Sequence, residues 1–348
     1  MFETAPLPTY ELEVESLSQA ISLEYSDALQ ALANLKAFLN TNEHLNFELL
    51  TGGAYNAPLL VFQPFGNYRI PIAVLKWEES NAEEKLRAFD EMAKNGFTHF
   101  PKIFRGQFGE YLVKLGKKSY SCTEYLKPDA NQTLSLEQML ALTSVFHQYA
   151  KNASLIKTPS IKTLDWFKNH CSYLFNLNPL VADLDSALFY SEEWLDCLKY
   201  AHFFASPTFK QMYDSLPEVL IHGDISPSNI LISHGKPYLI DFETARIDIR
   251  LRDFAVLFGK HFLKNYLQLL QENTLSAYLQ EHYGNLEPNE IACFSQIILL
   301  ERCNVIAWSL EELQQSLSSQ NAEGTKFFRE NIAQALLAIH EIGKYLKE

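Results

Sequence analysis

The chain is 348 residues long, more than a single hydrophobic core usually serves, so two lobes or domains are expected. Hydrophobic residues at 47%, charged residues at 20%, and 24 Phe with 17 Tyr describe a globular protein and exclude a disordered one. With 42 acidic against 29 basic residues the net charge is −13, which argues against nucleic acid or an anionic membrane as a partner and is compatible with a cationic one.

The opening residues, MFETAPLPTYELEVES, carry neither a basic n-region nor an apolar h-region, and the expectation is a cytoplasmic protein without a membrane span. The five cysteines are scattered without CxxC spacing and read as reduced core residues. Within residues 1–42, taken as an N-terminal helical extension, Leu29, Leu32, Leu35 and Leu39 recur at helical spacing and predict a helix over Ser26 to Leu39. Residues 43–126 change to short apolar runs, FELLTGG, APLLVF, IPIAVLKW, EYLVKL and SYSCTEYL, with the helical segment NAEEKLRAFDEMAKNG among them. This predicts a small β-rich lobe with one helix.

Lys127-Pro128-Asp129 is a turn-forming break, and residues 127–348 are dominated by helical patterns. Ser135 with Gln138 forms the pattern of a capping box opening a helix through Met139, Leu140 and Phe146, and Phe294, Ile297, Ile298, Val305 and Trp308 form a second apolar stripe. One stretch departs from the helical pattern: EVLIHGDISPSNILISHGKPYLIDFE reads as three short strands, VLI, ILI and YLI, with His234-Gly235-Lys236 as a turn. His222, Asp224, Asn229, Asp241 and Glu243 therefore fall at strand ends, where side chains are held yet can face a cleft.

His222-Gly223-Asp224, four residues and then Asn229 have the spacing of a kinase catalytic loop, with Gly in place of the middle Arg, and Asp241-Phe242-Glu243 follows at the distance of a metal-binding motif. Phosphoryl transfer needs such a set: oxygen ligands for Mg2+ and a carboxylate to orient the attacking hydroxyl. Either fragment alone reads as strand-end polar residues bonding their own loops, whereas the two together at this spacing favour the chemistry.

HGDISPSNILI, LIDFETA and RDFA together resemble the aminoglycoside phosphotransferase and choline kinase superfamily, which includes homoserine and methylthioribose kinases. The resemblance covers roughly residues 45 to 310. It implies an α+β, bilobal protein-kinase-like fold, with a nucleotide-binding N-lobe over 43–126 and a mainly helical C-lobe over 127–348. It implies ATP and Mg2+ as cofactors, with Asp224 taking or orienting the substrate hydroxyl proton, His222 bracing the catalytic loop, Asn229 and Asp241 holding the metal, and Asp253 anchoring the loop from below. In LTGGAYNAPLLVF, the resemblance makes Gly52, Gly53 and Asn56 the phosphate-binding hairpin, a departure from GxGxxG that this superfamily commonly shows. Lys76 in IAVLK takes the place of the lysine on the α- and β-phosphates, steered by a helix carboxylate, Glu84 first and Glu83 second. Glu124 and Leu126 belong to the segment whose backbone would bind adenine. His147 matches a histidine that ends a helix in relatives, and a satisfied core histidine is its bland reading.

These motifs concern ATP and metal and leave the acceptor open. Residues 151–215 and 255–315 are where specificity is expected, and three acceptor classes are carried: an amino-acid-like alcohol, a quaternary amine and an aminoglycoside. The acidic net charge favours the last two, and Trp308, Glu301 and Glu243 could form a cage for a cation if they converge. Two other classes are weighed. A nucleotide-binding pseudokinase would have no use for the intact set Lys76, Asp224, Asn229 and Asp241. An atypical protein kinase would need an activation segment, and only 11 residues separate Asp241 from Asp253.

Overall fold

The computed structural model describes residues 9–50, 58–65, 68–78, 82–151, 161–175, 191–284 and 286–346. The chain forms two compact units, the first drawn from Met1–Gln132 and Leu231–Glu243, the second from Thr133–Asn152, Pro159–Ile230 and Thr244–Glu348.

The first unit is built on a five-stranded antiparallel sheet in the order β1-β2-β3-β5-β4, with β1 at Asn46–Leu49, β2 at Leu59–Phe65, β3 at Tyr68–Glu78, β4 at Leu112–Leu115 and β5 at Lys118–Glu124. Helices α1 (Thr9–Ile21) and α2 (Tyr25–Leu39) put Val14, Leu17, Leu32 and Leu35 into one core with Val61, Leu75, Val113 and Cys122 of the sheet. The N-terminal helices are thus part of this unit's core. Glu13, buried in α1, is satisfied by Lys36 and the Leu45 amide, with His44 Nδ1 3.0 Å away. Helix α3 (Ala82–Lys94) places Leu86, Phe89 and Met92 inside, following its apolar spacing.

Leu231–Glu243 joins this unit through a hairpin. Strands β7 (Ile230–Ser233) and β8 (Lys236–Leu239) pair across His234 and Gly235, both at positive φ (52° and 72°), as a tight two-residue turn requires. Asp129 caps that turn, accepting from the amides of His234 (3.1 Å) and Gly235 (2.7 Å). These two amides hold the Asp129 carboxyl below its ordinary value. The Leu239 amide donates to the His99 carbonyl at 2.8 Å, and the His99 Nδ1 bonds the Pro237 carbonyl at the same distance. The sequence places 127–348 in a single lobe, but these bonds tie the hairpin and the Asp241 that follows it to the sheet unit.

The second unit is mainly helical: α4 (Leu136–Ala150), α5 (Thr163–His170), α6 (Ser172–Phe175), α7 (Glu192–Phe204), α8 (Pro207–Asp214), α9 (Leu251–Val256), α10 (Leu263–Gln271), α11 (Leu275–His282), α12 (Pro288–Ser318) and α13 (Ala322–Leu346). Both halves of the Ser135–Gln138 capping box form at the start of α4. A two-stranded ribbon pairs β6 (Glu218–Ile221) with β9 (Arg246–Ile249), a strand whose polar sequence, RIDI, the apolar-run reading passes over. A π-helical turn at Leu257–His261 follows α9. Helix α12 is, among the described residues, long and apolar enough to cross a membrane, and 72% of its most apolar window is buried in the protein, the pattern of a core helix.

Candidate active site

In the second unit, β6 delivers the chain to the loop His222–Asn229. Its geometry follows from one buried carboxylate. Asp253, fully enclosed in α9, accepts the His222 amide at 3.1 Å, the Gly223 amide at 2.7 Å and the His147 Nε2 at 2.9 Å. His147 Nδ1 lies 3.0 Å from the Tyr283 hydroxyl, so both ring nitrogens are satisfied. Burial raises the Asp253 pKa, but the hydrogen bond and charge of His147, the charge of His222 and the Gly223 amide outweigh it and hold the carboxyl below its ordinary value.

Gly223 has φ +86°, and a Cβ there would stand 2.5 Å from the Thr244 carbonyl oxygen, so only glycine fits at the position of the missing arginine. The Gly223 carbonyl accepts from the Arg252 guanidinium, and the Thr244 hydroxyl donates to the His222 carbonyl at 3.0 Å. His222 is wholly buried and its Nδ1 accepts the Asp224 amide at 3.4 Å, a bracing position away from solvent. Asn229 closes the loop: its Nδ2 donates to both the carbonyl and the Oδ2 of Asp224, each at 2.9 Å. Both amide hydrogens are thereby spent inward, leaving Asn229 Oδ1 as the group able to meet a cation, an oxygen donor of the kind Mg2+ prefers.

Asp224 opens into a cavity of about 420 Å3 within the helical unit. Its charged lining, apart from Asp224, is Arg246, Arg252, Lys260, Glu301 and Arg302, and its walls include Trp166 and Trp308. Trp308 and Glu301 therefore share this cavity, as the cation-cage reading requires, but Glu243 belongs to the first unit, and Glu301 is ion-paired with Arg252 at 3.3 Å, which neutralises it. Among the lining residues Gly223, Asp224, Glu301, Val305 and Trp308 were singled out by sequence. The arginines were not: Arg252 sits within a run read as a family motif, Arg302 within an apolar helix stripe, and Arg246 in the polar strand RIDI that apolar patterning passes over.

In the first unit, β3 alternation buries Ala73 and Leu75 in the core beneath α1 and α2 and turns Lys76 to the opposite face. Lys76 Nζ lies 2.5 Å from Asp241 Oδ1 and 3.1 Å from Glu243 Oε1. Burial depresses the lysine pKa, but the charges and bonds of Asp241 and Glu243 raise it by more, so the ammonium is kept. The sequence assigned this partnership to α3, Glu84 first. The pairs that form are with Asp241 and Glu243, because the Phe242 ring between them docks against Phe89 (4.4 Å between centroids) and Phe100 (4.8 Å). Asp241 itself has φ +66°, a conformation that non-glycine residues adopt rarely and that clusters at functional sites. At the end of β5, the Glu124 amide donates to the Lys102 carbonyl at 2.9 Å and its carboxylate accepts the Lys102 amide at 3.0 Å. Gly52, Gly53 and Asn56 lie outside the described residues.

No curated protein matches the chain. Among solved structures, a spectinomycin phosphotransferase in complex with ADP and spectinomycin is similar, with a TM-score of 0.62 at 16% identity over 90% of this chain and 98% of its own. A putative aminoglycoside phosphotransferase from Ralstonia eutropha JMP134 follows at TM-score 0.59 and 9% identity, covering 92% and 98%. A choline/ethanolamine kinase family protein from Mesorhizobium loti has TM-score 0.53 and 16% identity, covering 89% and 98%. At these identities the likeness shows the fold, a kinase-like α+β architecture. The sequence itself decides the family: the model of the phosphotransferase enzyme family matches residues 66–288, well over half of the chain, and the protein belongs to that family.

Proposed function

We propose that the protein transfers the γ-phosphoryl group of ATP to a hydroxyl of a small molecule. The observation that carries this reading is Asp224, oriented by Asn229 and opening into a cavity of a small acceptor's size. The acceptor oxygen would bond to the γ-phosphorus, the bond from that phosphorus to the bridging oxygen would break, ADP would leave, and the hydroxyl proton would pass to the Asp224 carboxylate. Asn229 Oδ1 and the Asp241 carboxylate are donors suited to Mg2+, which when bound would neutralise charge on the phosphate oxygens.

Lys76, half-buried and holding its charge beside Asp241 and Glu243, would place the phosphates, as the resemblance implies. The backbone of Glu124 and Leu126 is the proposed adenine-binding edge, with the Glu124 amide itself donating to the Lys102 carbonyl. His222 is a positioning residue. Gly52, Gly53 and Asn56 remain the proposed phosphate hairpin.

The test is transfer of labelled γ-phosphate from Mg·ATP to a panel of hydroxylated small molecules. Asp224→Asn is expected to lower kcat by about 10²–10⁴-fold with nucleotide affinity retained. Asp241→Ala is expected to lose the metal-dependent part of nucleotide binding, read by calorimetry with and without Mg2+. Wild-type turnover in both variants would sink the assignment, and Mg·ATP binding with no transfer to any acceptor would favour a pseudokinase.

A further inference from the structure

The cavity at Asp224 has charges that do not balance. Its basic residues are Arg246, Arg252, Lys260 and Arg302, and its acidic ones are Asp224 and Glu301. Two of the arginines are already engaged. Arg246 donates to Asp248 (3.2 Å), the Thr244 carbonyl (3.1 Å) and the Thr163 hydroxyl (2.6 Å). Arg252 is held by Glu301 and the Gly223 carbonyl. Arg302 differs. It is 4% exposed and among the described residues no carboxylate forms an ion pair with it, while its Nε, like that of Arg252, is enclosed without a hydrogen-bond partner. Its stem lies against Gly259 in the π-helical turn, where a Cβ would come within 3.0 Å of Nε, so the turn leaves the space that Arg302 fills.

A buried guanidinium without a partner is costly, and such a charge is retained where a ligand completes it. Lys260, exposed at the rim of the same cavity, adds a second cation. We propose that the acceptor carries an anionic group, a carboxylate or a phosphate ester, which the Arg302 guanidinium receives with Lys260 while the acceptor hydroxyl meets Asp224. A planar guanidinium suits either oxyanion bidentately, and Trp166 and Trp308 would line the body of the molecule. The negative net charge of the whole chain, which suggests a cationic acceptor, is thus a poor guide: the local field at Asp224 is basic. This inference rests on Asp224 being the hydroxyl-binding carboxylate of the proposed transferase.

The experiment uses matched probes with the full-length protein: glycerate and glycerol 3-phosphate against glycerol, homoserine against homoserinol, and kanamycin and choline as cations. Each is scored twice, by labelled γ-phosphate transfer and by thermal shift without nucleotide. At least one probe bearing a carboxylate or phosphate is expected to shift the melting temperature and to be phosphorylated with at least tenfold higher kcat/KM than the matched alcohol that lacks that group. Arg302→Gln is expected to raise KM for that probe tenfold or more with a smaller change in kcat, Arg302→Lys to restore part of the affinity, and Lys260→Gln to weaken it without affecting folding. Carboxylate and phosphate probes separate the two sources of the anion. Asp224-dependent transfer to glycerol, homoserinol, choline or kanamycin, without preference for any anion, would overturn the anionic acceptor and leave the transferase standing. An Arg302-dependent thermal shift with anions but no transfer would uphold the pocket and count against the transferase. Absence of any anion-dependent shift or transfer would overturn the proposal.

Discussion

Asp253→Ala is expected to destabilise the helical unit by about 3–5 kcal/mol and to remove phosphoryl transfer with it. The substitution leaves three enclosed donors, the amides of His222 and Gly223 and the His147 ring, without an acceptor. Each buried donor left unpaired costs about 1–3 kcal/mol, and breaking a buried ionic contact alone costs a similar total to the figure given. For a unit of this size that corresponds to a fall in Tm of roughly 6–20 °C, read from the unit's own transition. Asp253→Asn keeps the shape but exchanges one acceptor oxygen for a donor, so an intermediate loss is expected.

The depressed pKa of Asp253 adds a pH signature. A carboxyl whose folded pKa lies below its unfolded value of about 3.9 contributes stability that is fully present above that value and is lost as pH falls through the folded pKa. The urea midpoints of wild type and Asp253→Asn should therefore differ near neutrality and converge as pH is lowered below about 4. A wild-type Tm in Asp253→Ala, or a difference that widens in acid, would show that the loop is not held from below.

How far the site could be read from sequence depended on what each residue's role rests on. Asp224, Asn229 and Asp241 stood out because the oxygen side chains that a metal and a hydroxyl would need stand at motif spacing in the His222–Asn229 loop and just after β8, a pattern written in the chain order. The strands around them were legible for a similar reason, since VLI, ILI and YLI are apolar runs between polar breaks. Strand β9 was not, because RIDI carries Arg246 and Asp248 into a buried contact with Thr163 and Tyr213 that no local pattern announces. Helix α1 was hidden by its acidic residues, one of which, Glu13, is satisfied only by α2 and the segment after it. The pairs that Lys76 makes with Asp241 and Glu243 had no signature in the sequence because β3 and the residues after β8 meet only in three dimensions. Arg302 was invisible for the converse reason: in an apolar helical stripe it looks like a solvated interruption, and its burial beside Gly259 is a tertiary fact.

Gly223→Ala tests the closeness of the catalytic loop to its support, and Gly235→Ala is its control. Both glycines have positive φ, +86° and +72°, so each substitution carries backbone strain of about 1 kcal/mol or somewhat more. They differ in space. A Cβ at 235 meets nothing within 4 Å, whereas at 223 it would stand 2.5 Å from the Thr244 carbonyl oxygen and 2.9 Å from its hydroxyl, which bonds the His222 carbonyl. Backbone cannot yield as a flexible side chain does, so the loop itself must shift, and Asp224 is the next residue. Displacement of a reacting group by about 1 Å can cost roughly 100-fold in rate. The expected outcome is a kcat for Gly223→Ala lowered by about 100-fold or more together with a loss of stability, and for Gly235→Ala a small loss of stability with kcat unchanged. Gly223→Arg, which restores the protein-kinase pattern, should behave no better than alanine, because the obstacle is at Cβ and precedes any charge the side chain could offer. A kcat within twofold of wild type in Gly223→Ala would mean that the loop has room the structure denies it and that Asp224 is not placed through Thr244 and Asp253.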